Sequence, residues 1–526
     1  MNDRTPGGRR LSRTLVAACV ALAAASGCAV GPRWHPPSAP AAAGYAPRAL
    51  PQLSAAAPVH GGEAQHFALG RDVPAAWWRL FGSPALDALI AQAFNANPSI
   101  ASAQAALRQA QELVAAQRGY FFPTLDASYQ FERQQLPGNL VGTSAPGFQG
   151  NGTNLSAVQS PLPPYNEPLI YGFHTAQITV GYVPDVFGAN RRQVESLSAQ
   201  AEVARYELEA TYLTLAANVV AAAIQEAEVR AEISAVERIV ADEEQSLRIL
   251  RNQFRLGYAM RLDVAAQETS LAQARAWLPP LRKQLGQTRD LLRALAGRLP
   301  NEPLPATFAL DALTLPSEIP LSVPARLVRQ RPDIRAAEAQ LHAANAQVGV
   351  ALAAMLPQFS ISAADGGAAS AFDWMFRHGG PFWDLIGSVS QPVFHGGTLL
   401  HQKRAAERAL QEAAAQYRTT VIAAYQNVAD SLHAALADAD ALAADVQAEK
   451  AAKVTLDLTR KQMEVGYVSD LTLLGAEAAY SEAVLTRVQA EATRYGDTVA
   501  LFQALGGGGW NGATRLDHPE GAGATH

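Results

Sequence analysis

The chain has 526 residues, 49% hydrophobic and 17% charged, with a formal net charge of −5. The charged share lies below the about 25% usual for soluble domains. Such apolar content excludes a largely disordered chain. Two cysteines exclude a disulfide scaffold, and the slight acidity argues against a nucleic-acid binder.

Residues 1–27 read as an address. Arg4, Arg9, Arg10 and Arg13 precede an unbroken run of small and apolar residues from Leu15 to Ala25. The run is too short for a membrane-spanning helix, which needs about 20 residues, and it fits a secretory signal. It ends in Ala25-Ser26-Gly27-Cys28, which resembles a lipoprotein signal whose cleavage leaves an acylated Cys28. Cys19 falls in the discarded piece. Two acyl chains and a third on the amine anchor a protein stably, where one does not. Ala29 follows Cys28, and a residue other than Asp there resembles the outer-membrane address. The signal carries four Arg and one Asp, net +3, so its removal takes the net charge from −5 to −8. No later segment reads as a transmembrane helix. Residues 28–75 are expected to form a lipid-anchored extended segment.

The rest of the chain repeats itself. Asn97-Pro98-Ser99-Ile100 is echoed by Arg331-Pro332-Asp333-Ile334, and Phe122-Pro123 by Leu356-Pro357. Val186-Phe187 is echoed by Val393-Phe394, and Gly257-Tyr258 by Gly466-Tyr467. The offset drops between residues 137 and 169, a Gly-, Pro-, Ser- and Asn-rich stretch that reads as a long loop in the first copy. The expected copies are residues 76–310 and 311–505, followed by a flexible tail over 506–526.

Each copy opens with a helix, 323–356 in the second, and then a pair of strands. In the first copy the pair spans 124–136 and 170–184, in the second 358–364 and 383–391. Leu125, Ala127, Tyr129 and Phe131 alternate with polar residues, as do Ala176, Ile178, Val180 and Tyr182. Period-two alternation gives one apolar and one polar face. In a membrane barrel these meet lipid and water respectively. Four strands cannot close a barrel, since single-chain barrels start at about eight, and an open edge is not tolerated in lipid. The chain must oligomerise through its strands, giving eight in a dimer, twelve in a trimer, or more.

Residues 189–256 and 398–465 lack Gly and Pro. As helices they would each reach roughly 100 Å. A 4-3 spacing from Leu208 through Tyr212, Leu215, Val219 and Ala222 to Leu250 and Phe254, broken only by Glu226 and Glu243, marks a coiled-coil seam. Val421, Tyr425, Val428 and Leu432 begin the same pattern in the second copy. A partial second stripe, Ala217, Ala221, Ile224, Ala231 and Ala235, gives the helix a neighbour on each side, as in a ring of helices. Gly257 and Gly466 then suit left-handed helix ends. Asp263 and Ser469 are placed to N-cap returning helices over 263–297 and 470–505.

Three His-Gly-Gly tripeptides begin at His60, His378 and His395, but the G-x-S-x-G nucleophile turn that partners such loops in lipases is missing. No H-E-x-x-H and no phosphate-binding glycine loop occurs. The chain does not read as an enzyme, and no metal or other cofactor is expected beyond the lipid on Cys28.

Together these features resemble the TolC-like outer membrane factors, in particular their lipid-anchored branch serving multidrug efflux. The carrying residues are Cys28-Ala29-Val30-Gly31-Pro32, Pro184-Asp185-Val186-Phe187-Gly188, Arg331-Pro332-Asp333-Ile334, Gln391-Pro392-Val393-Phe394-His395-Gly396-Gly397 and Leu471-Thr472-Leu473-Leu474. The resemblance implies an α+β chain with an internal two-fold repeat. It contributes four strands to a twelve-stranded outer-membrane β-barrel in a homotrimer, continuous with a long periplasmic α-helical barrel. It implies as partners a periplasmic adaptor and an inner-membrane pump of the RND type, which deliver drugs or other toxic small molecules into a passive exit duct; a duct for type I protein secretion is the alternative. By the same resemblance Gly257, Tyr258, Gly466 and Tyr467 match adaptor-docking tips. Asp263, Leu471, Thr472 and Gly475 match the periplasmic gate, with Leu471 expected as a hydrophobic constriction. Relatives with Asp at the positions of Thr472 or Gly475 build a carboxylate ring that this chain lacks.

Overall fold

The computed structural model describes residues 29–40, 44, 45, 51–136 and 169–507. The signal, Cys28, the 137–168 stretch and the tail beyond residue 507 lie outside the described residues. In chain order the elements are β1 (His66–Leu69), a 3-10 turn (Trp77–Phe81), α1 (Pro84–Ala96), α2 (Pro98–Gly119), β2 (Thr124–Leu136), β3 (Leu169–Tyr182), α3 (Ala189–Arg255) and α4 (Arg261–Leu295). There follow β4 (Glu318–Leu321), α5 (Pro324–Gln330), α6 (Pro332–Ala353), β5 (Gln358–Ala369), β6 (Pro381–Ser390), α7 (Thr398–Glu464) and α8 (Asp470–Ala504). Both long helices run 67 residues. The single helix expected over 323–356 is two. Arg331 is extended (φ −70°, ψ 125°), as the residue before a proline must be, and the chain breaks there. β5 runs five residues past its expected end at 364, to Ala369.

The chain divides into two compact units. One takes Ala110–Gln200, Leu341–Glu412 and the residues up to His35. Its centre is an antiparallel sheet of order β2-β3-β5-β6. The register aligns the alternating residues into rows. Leu125 faces Val180, Val180 faces Ala363 and Ala363 faces Leu385. The next row, Asp126, Thr179, Ala364 and Asp384, is polar at both ends. Leu125, Trp383 and Leu385 are exposed within the chain. The motif Pro184-Asp185-Val186-Phe187-Gly188 forms the junction of β3 and α3. The Asp185 carboxylate accepts the Asn190 and Arg191 backbone N–H groups at 3.0 and 2.8 Å, which satisfies free donors at the helix start. The N-terminal strap docks on the same junction. Val30 N–H donates to the Phe187 carbonyl at 3.1 Å, and Arg192 Nε donates to the Val30 carbonyl at 3.0 Å. A Cβ on Gly349 would lie 2.9 Å from both Arg192 Cγ and the Val30 carbonyl, so only glycine admits the strap. Trp34 stacks on His342 at 4.6 Å.

The second unit takes Pro36–Gln109, Ala201–Gln340 and Ala413–His526. Its seam follows the 4-3 pattern: Leu208, Tyr212, Leu215, Val219, Ala222, Val229, Val236, Leu247 and Leu250 are buried. Phe254 is exposed at the end of the pattern, and Ala221 departs from the second stripe by facing outward. The two acids in the seam are both bonded to α4, Glu226 also to its own helix. Glu226 accepts from Arg230 at 2.7 Å and Arg289 at 2.8 Å, and Glu243 accepts from Gln267. Part of α3 is long and apolar enough to cross a bilayer by composition, but most of that stretch is buried inside the protein. α4 contains Pro279 and Pro280. Both are exposed, so carbonyls freed by the missing N–H groups can meet water. Trp77, Phe81, Tyr495 and Phe502 form an aromatic core. Part of the segment expected to be extended pairs instead, β1 lying parallel to β4. Buried Arg494 fixes the residues before it, donating to the carbonyls of Gly61 at 2.9 Å and Glu63 at 2.7 Å.

The repeated x-Pro-x-Ile motif is a clamp between helix ends. Pro98 and Pro332 begin α2 and α6, where a missing N–H costs nothing. Asn97 Nδ2 donates to the Leu295 carbonyl at 2.9 Å, the last residue of α4. Arg331 Nη1 donates to the Ala504 carbonyl at 2.6 Å, the last residue of α8, while its other nitrogens fork onto Asp333 at 3.0 and 2.6 Å. Ile100 and Ile334 are buried behind the clamps. Arg331→Ala removes a buried charged hydrogen bond and should cost about 2–3 kcal/mol. Denaturant unfolding in detergent should show it, and an unchanged midpoint would refute the clamp.

Candidate functional site: the paired helical tips

α3 and α7 end in the same turn. Gly257 and Gly466 have φ of +83° and +80°, a region open to glycine. Gly257 N–H donates to the Phe254 carbonyl at 3.1 Å and Tyr258 N–H to the Gln253 carbonyl at 2.9 Å. In the second copy Gly466 bonds Met463 at 3.0 Å and Tyr467 bonds Gln462 at 2.9 Å. These paired bonds are a Schellman motif. Each turn presents its tyrosine outward, Tyr258 at 84% and Tyr467 at 83% exposure. Leu256, Met260, Leu262 and Val465 are exposed beside them. Each tip is thus a small apolar knob with no partner among the described residues of the chain.

The returning helices start differently. Asp263 is not the N-cap of α4. Met260 occupies that position, and Asp263, three residues in, reaches back so that Oδ2 accepts the Met260 N–H at 2.8 Å. Asp263 therefore serves as the acidic half of a capping box. Ser469 is the N-cap of α8, with Oγ 3.1 Å from Thr472 Oγ1 in the first turn and no side-chain bond to a backbone N–H of the helix. Leu471 is 72% exposed, so it does not pack on its own helix pair. Gly475 lies one turn on, with open space where a Cβ would stand. Leu471, Thr472 and Gly475 share one helical turn. No hydrogen bond or ion pair among the described residues joins them to Asp263.

Behind the tips lies a polar network that the periodicity did not reveal. Arg251 pairs with Glu268 at 2.7 Å in the first copy, and Arg460 with Glu477 at 3.0 Å in the second. Both residues of the second pair are displaced by 209 from the first, so the repeat itself carried the signal. Glu477 and Glu243 are buried and line a small cavity of about 170 Å³ with Asp242 and Arg460. Burial first, then the neighbouring Glu477, pushes the Glu243 carboxyl up to about 7. Burial likewise raises Glu477, against the opposing pull of Arg460. Gln489 Nε2 donates to Glu232 at 2.7 Å, further along the two returning and outgoing helices. Among the described residues no group of three His, Cys, Asp or Glu is placed to hold a metal ion.

The sequence profile of outer membrane efflux proteins matches residues 89–298 and 323–507. The chain belongs to the outer membrane efflux protein family. It is 28% identical to the pyoverdine export outer membrane protein OpmQ of Pseudomonas putida over 82% of this chain and 88% of that one. It is 27% identical to the toluene efflux pump outer membrane protein TtgI of Pseudomonas putida, over 93% and 97%. The solved outer-membrane channel OprN superposes with a TM-score of 0.77 at 25% identity, covering 91% of this chain and 99% of OprN. The fold is accordingly that of an outer-membrane β-barrel with a long periplasmic α-helical barrel, and the protein resides in the outer membrane.

For this efflux protein the buried acids give a signed pH effect. A carboxyl raised from its ordinary 4.5 to about 7 contributes its full stabilisation below the unfolded value and loses it as pH rises through the folded one. The groups facing Glu243 are Asp242, Gln267, Glu477 and Arg460. The thermal midpoint in detergent should therefore fall between pH 5 and pH 8, and Glu243→Gln should shrink that fall. An undiminished fall in the variant would assign the effect elsewhere.

Proposed function

We propose that three copies of this chain form the exit duct of a tripartite RND-type efflux system. The duct passively conducts toxic small molecules from a periplasmic adaptor and inner-membrane pump to the exterior. The observation that carries this reading is the four-stranded sheet with β2 and β6 unpaired at its edges, joined in one chain to two long helices ending in matched tips. Edges in hydrocarbon must pair, and β2 of one copy against β6 of the next closes the barrel. The tips offer the apolar knobs of Tyr258 and Tyr467 to the adaptor. The names of relatives, toluene efflux and pyoverdine export, support small organic molecules as cargo. The role is transport, with no catalytic step assigned.

Cys28 is proposed as the acylated anchor. In support, Ala29 packs at the β3–α3 junction, its Cα 2.7 Å from the place of a Gly188 Cβ, where an outer-membrane chain leaves the bilayer. A deletion strain should regain tolerance to dyes, solvents and hydrophobic antibiotics with the wild-type gene, and palmitate labelling should vanish with Cys28→Ala. If no compound distinguishes the strains while the secreted proteome changes, the duct serves protein secretion.

Leu471 is proposed as the narrowest ring, three apolar side chains that close the duct by dewetting. Its 72% exposure within one chain supports this, because the side chain is left for neighbouring copies. Leu471→Ser should raise single-channel conductance in planar bilayers. Unchanged conductance would place the constriction elsewhere.

A further inference from the structure

The outer face of the sheet carries side chains that a passive duct does not need. By register, Tyr129, Phe131 and Arg133 of β2 share the face of Leu125 and stand opposite Ala176, His174 and Gly172 of β3. This is the apolar face, which meets lipid in a barrel. Away from the helices its side chains turn aromatic. Tyr129 Oη lies 2.9 Å from His174 Nδ1, and Phe131 packs on the same imidazole with ring centroids 4.6 Å apart. Phe372, from the turn between β5 and β6, sets its ring edge-on to Tyr129 and His174 at 5.9 and 6.1 Å.

That turn folds back over the face instead of standing clear of it. Gly367 pairs with Ala176 on the same face, and a Cβ there would fall 2.3 Å from the Met375 carbonyl. Ala368 N–H donates to the Gly380 carbonyl at 2.9 Å, and Met375 is buried. Phe372, Trp374 and Phe376 remain exposed, so the turn widens an aromatic shelf. Two cations accompany the shelf. Arg133 follows Phe131 on the same face, about 7 Å further along the strand. Its cross-strand partner Gly172 has no side chain to cover it. Arg133 is exposed and makes no hydrogen bond or ion pair among the described residues. The Arg377 side chain, in the turn, meets only Asp373 among them, at 3.4 Å with both groups more than 60% exposed, a pair that solvent weakens. The one acid on this face of the described strands is Asp365, level with Ala127. It stands about 20 Å below Arg133 along the strands, too far to pair with it. Barrel closure joins strand edges and leaves this face outward, so the shelf is not covered by a neighbouring copy's sheet.

We infer that this shelf binds the phosphorylated glycolipid of the outer leaflet, with Arg133 and Arg377 on its phosphates and the aromatic rings against its sugar and upper acyl carbons. A guanidinium is always charged and matches phosphate oxygens with two parallel hydrogen bonds. Aromatic side chains suit a boundary where one side is apolar and the other wet. Here the two stand in the order such a lipid requires, rings toward the hydrocarbon and Arg133 beyond them. A phospholipid brings one phosphate and no sugar, and would leave one arginine and part of the shelf unused. The inference rests on residence in the outer membrane and is independent of cargo, adaptor and pump.

The test uses the full-length chain purified from outer membranes in detergent, with bisphosphorylated lipid A added and bound lipid counted by native mass spectrometry. The wild type should bind it. R133Q/R377Q should bind about tenfold more weakly or worse, the worth of a hydrogen bond between charged groups, and R133K/R377K should retain more than R133Q/R377Q. F372A/W374A/F376A should weaken binding with both arginines in place. Lipid A stripped of its phosphates should bind the wild type no better than intact lipid A binds R133Q/R377Q. Thermal midpoints without lipid verify that the variants are folded. Should the double variant fail to reach the outer membrane, R133Q and R377Q are measured singly, each with a partial loss expected. Binding untouched by loss of the arginines, as when residues 137–168 cover Arg133, overturns the inference. So does equal binding of phosphatidylglycerol, or of lipid A without phosphates.

Discussion

Backbone groups in hydrocarbon have no water to turn to, and the sheet of this protein runs out of partners at both ends. Each unpaired N–H or C=O there would cost several kcal/mol. The order β2-β3-β5-β6 uses up the inner edges and leaves β2 and β6 open. The rows set by the register reach those edges intact, Leu125 at one end and Leu385 at the other. A neighbouring copy can therefore extend both the hydrogen-bond ladder and the apolar face. This constraint makes one chain a fraction of a barrel.

The repeat preserves what the backbone needs and releases what it does not. Helix ends require a left-handed residue, a proline-compatible start and a donor for the last carbonyl. Those demands are met twice, by Gly257 and Gly466, by Pro98 and Pro332, and by Asn97 and Arg331. The donors differ in kind, an amide in one copy and a guanidinium in the other, yet reach the same place. One ion pair, Arg251–Glu268, also recurs as Arg460–Glu477. Exposed positions carry no such demand, and there the copies diverge, Arg248 standing where the second copy has Asp457 and Arg255 where it has Glu464.

This division explains what could be read without coordinates. The long helices, the seam, the turns at Gly257 and Gly466 and the strand pairs were legible because each is a local pattern of burial or φ. The break at Arg331 was missed although Pro332 was in plain view, because the apolar pattern continues across it. Asp263 was placed three residues out of its role: a capping box and an N-cap use the same residue type, and only the start of the helix tells them apart. The β1–β4 pairing joins residues about 250 apart, and four-residue strands leave little periodicity. For the tips, the backbone was legible in full. Which exposed side chain narrows a pore depends on other copies of the chain, and no local rule encodes that.

The two acids inside the seam show how a long helical pair can be firm along most of its length and yielding near its end. Glu226 is clasped by Arg230 and Arg289, so its charge is balanced on the spot and separation of α3 from α4 would strand it. Glu243, nearer the tip, has only the neutral Gln267 as its bonded partner and looks across at another acid, Glu477. Arg460, the cation that faces it, is already bound to Glu477. Beyond Glu243 the seam packs Leu247 and Leu250 against Val264 and Leu271, with Ala259 beside them, before Phe254 turns to solvent. Buried apolar contact thins toward the tip, and the buried Glu243 has no cation bonded to it, conditions under which a segment opens locally before the rest of the fold gives way. An aperture built from these ends, as proposed above, has its weakest contacts at its mouth.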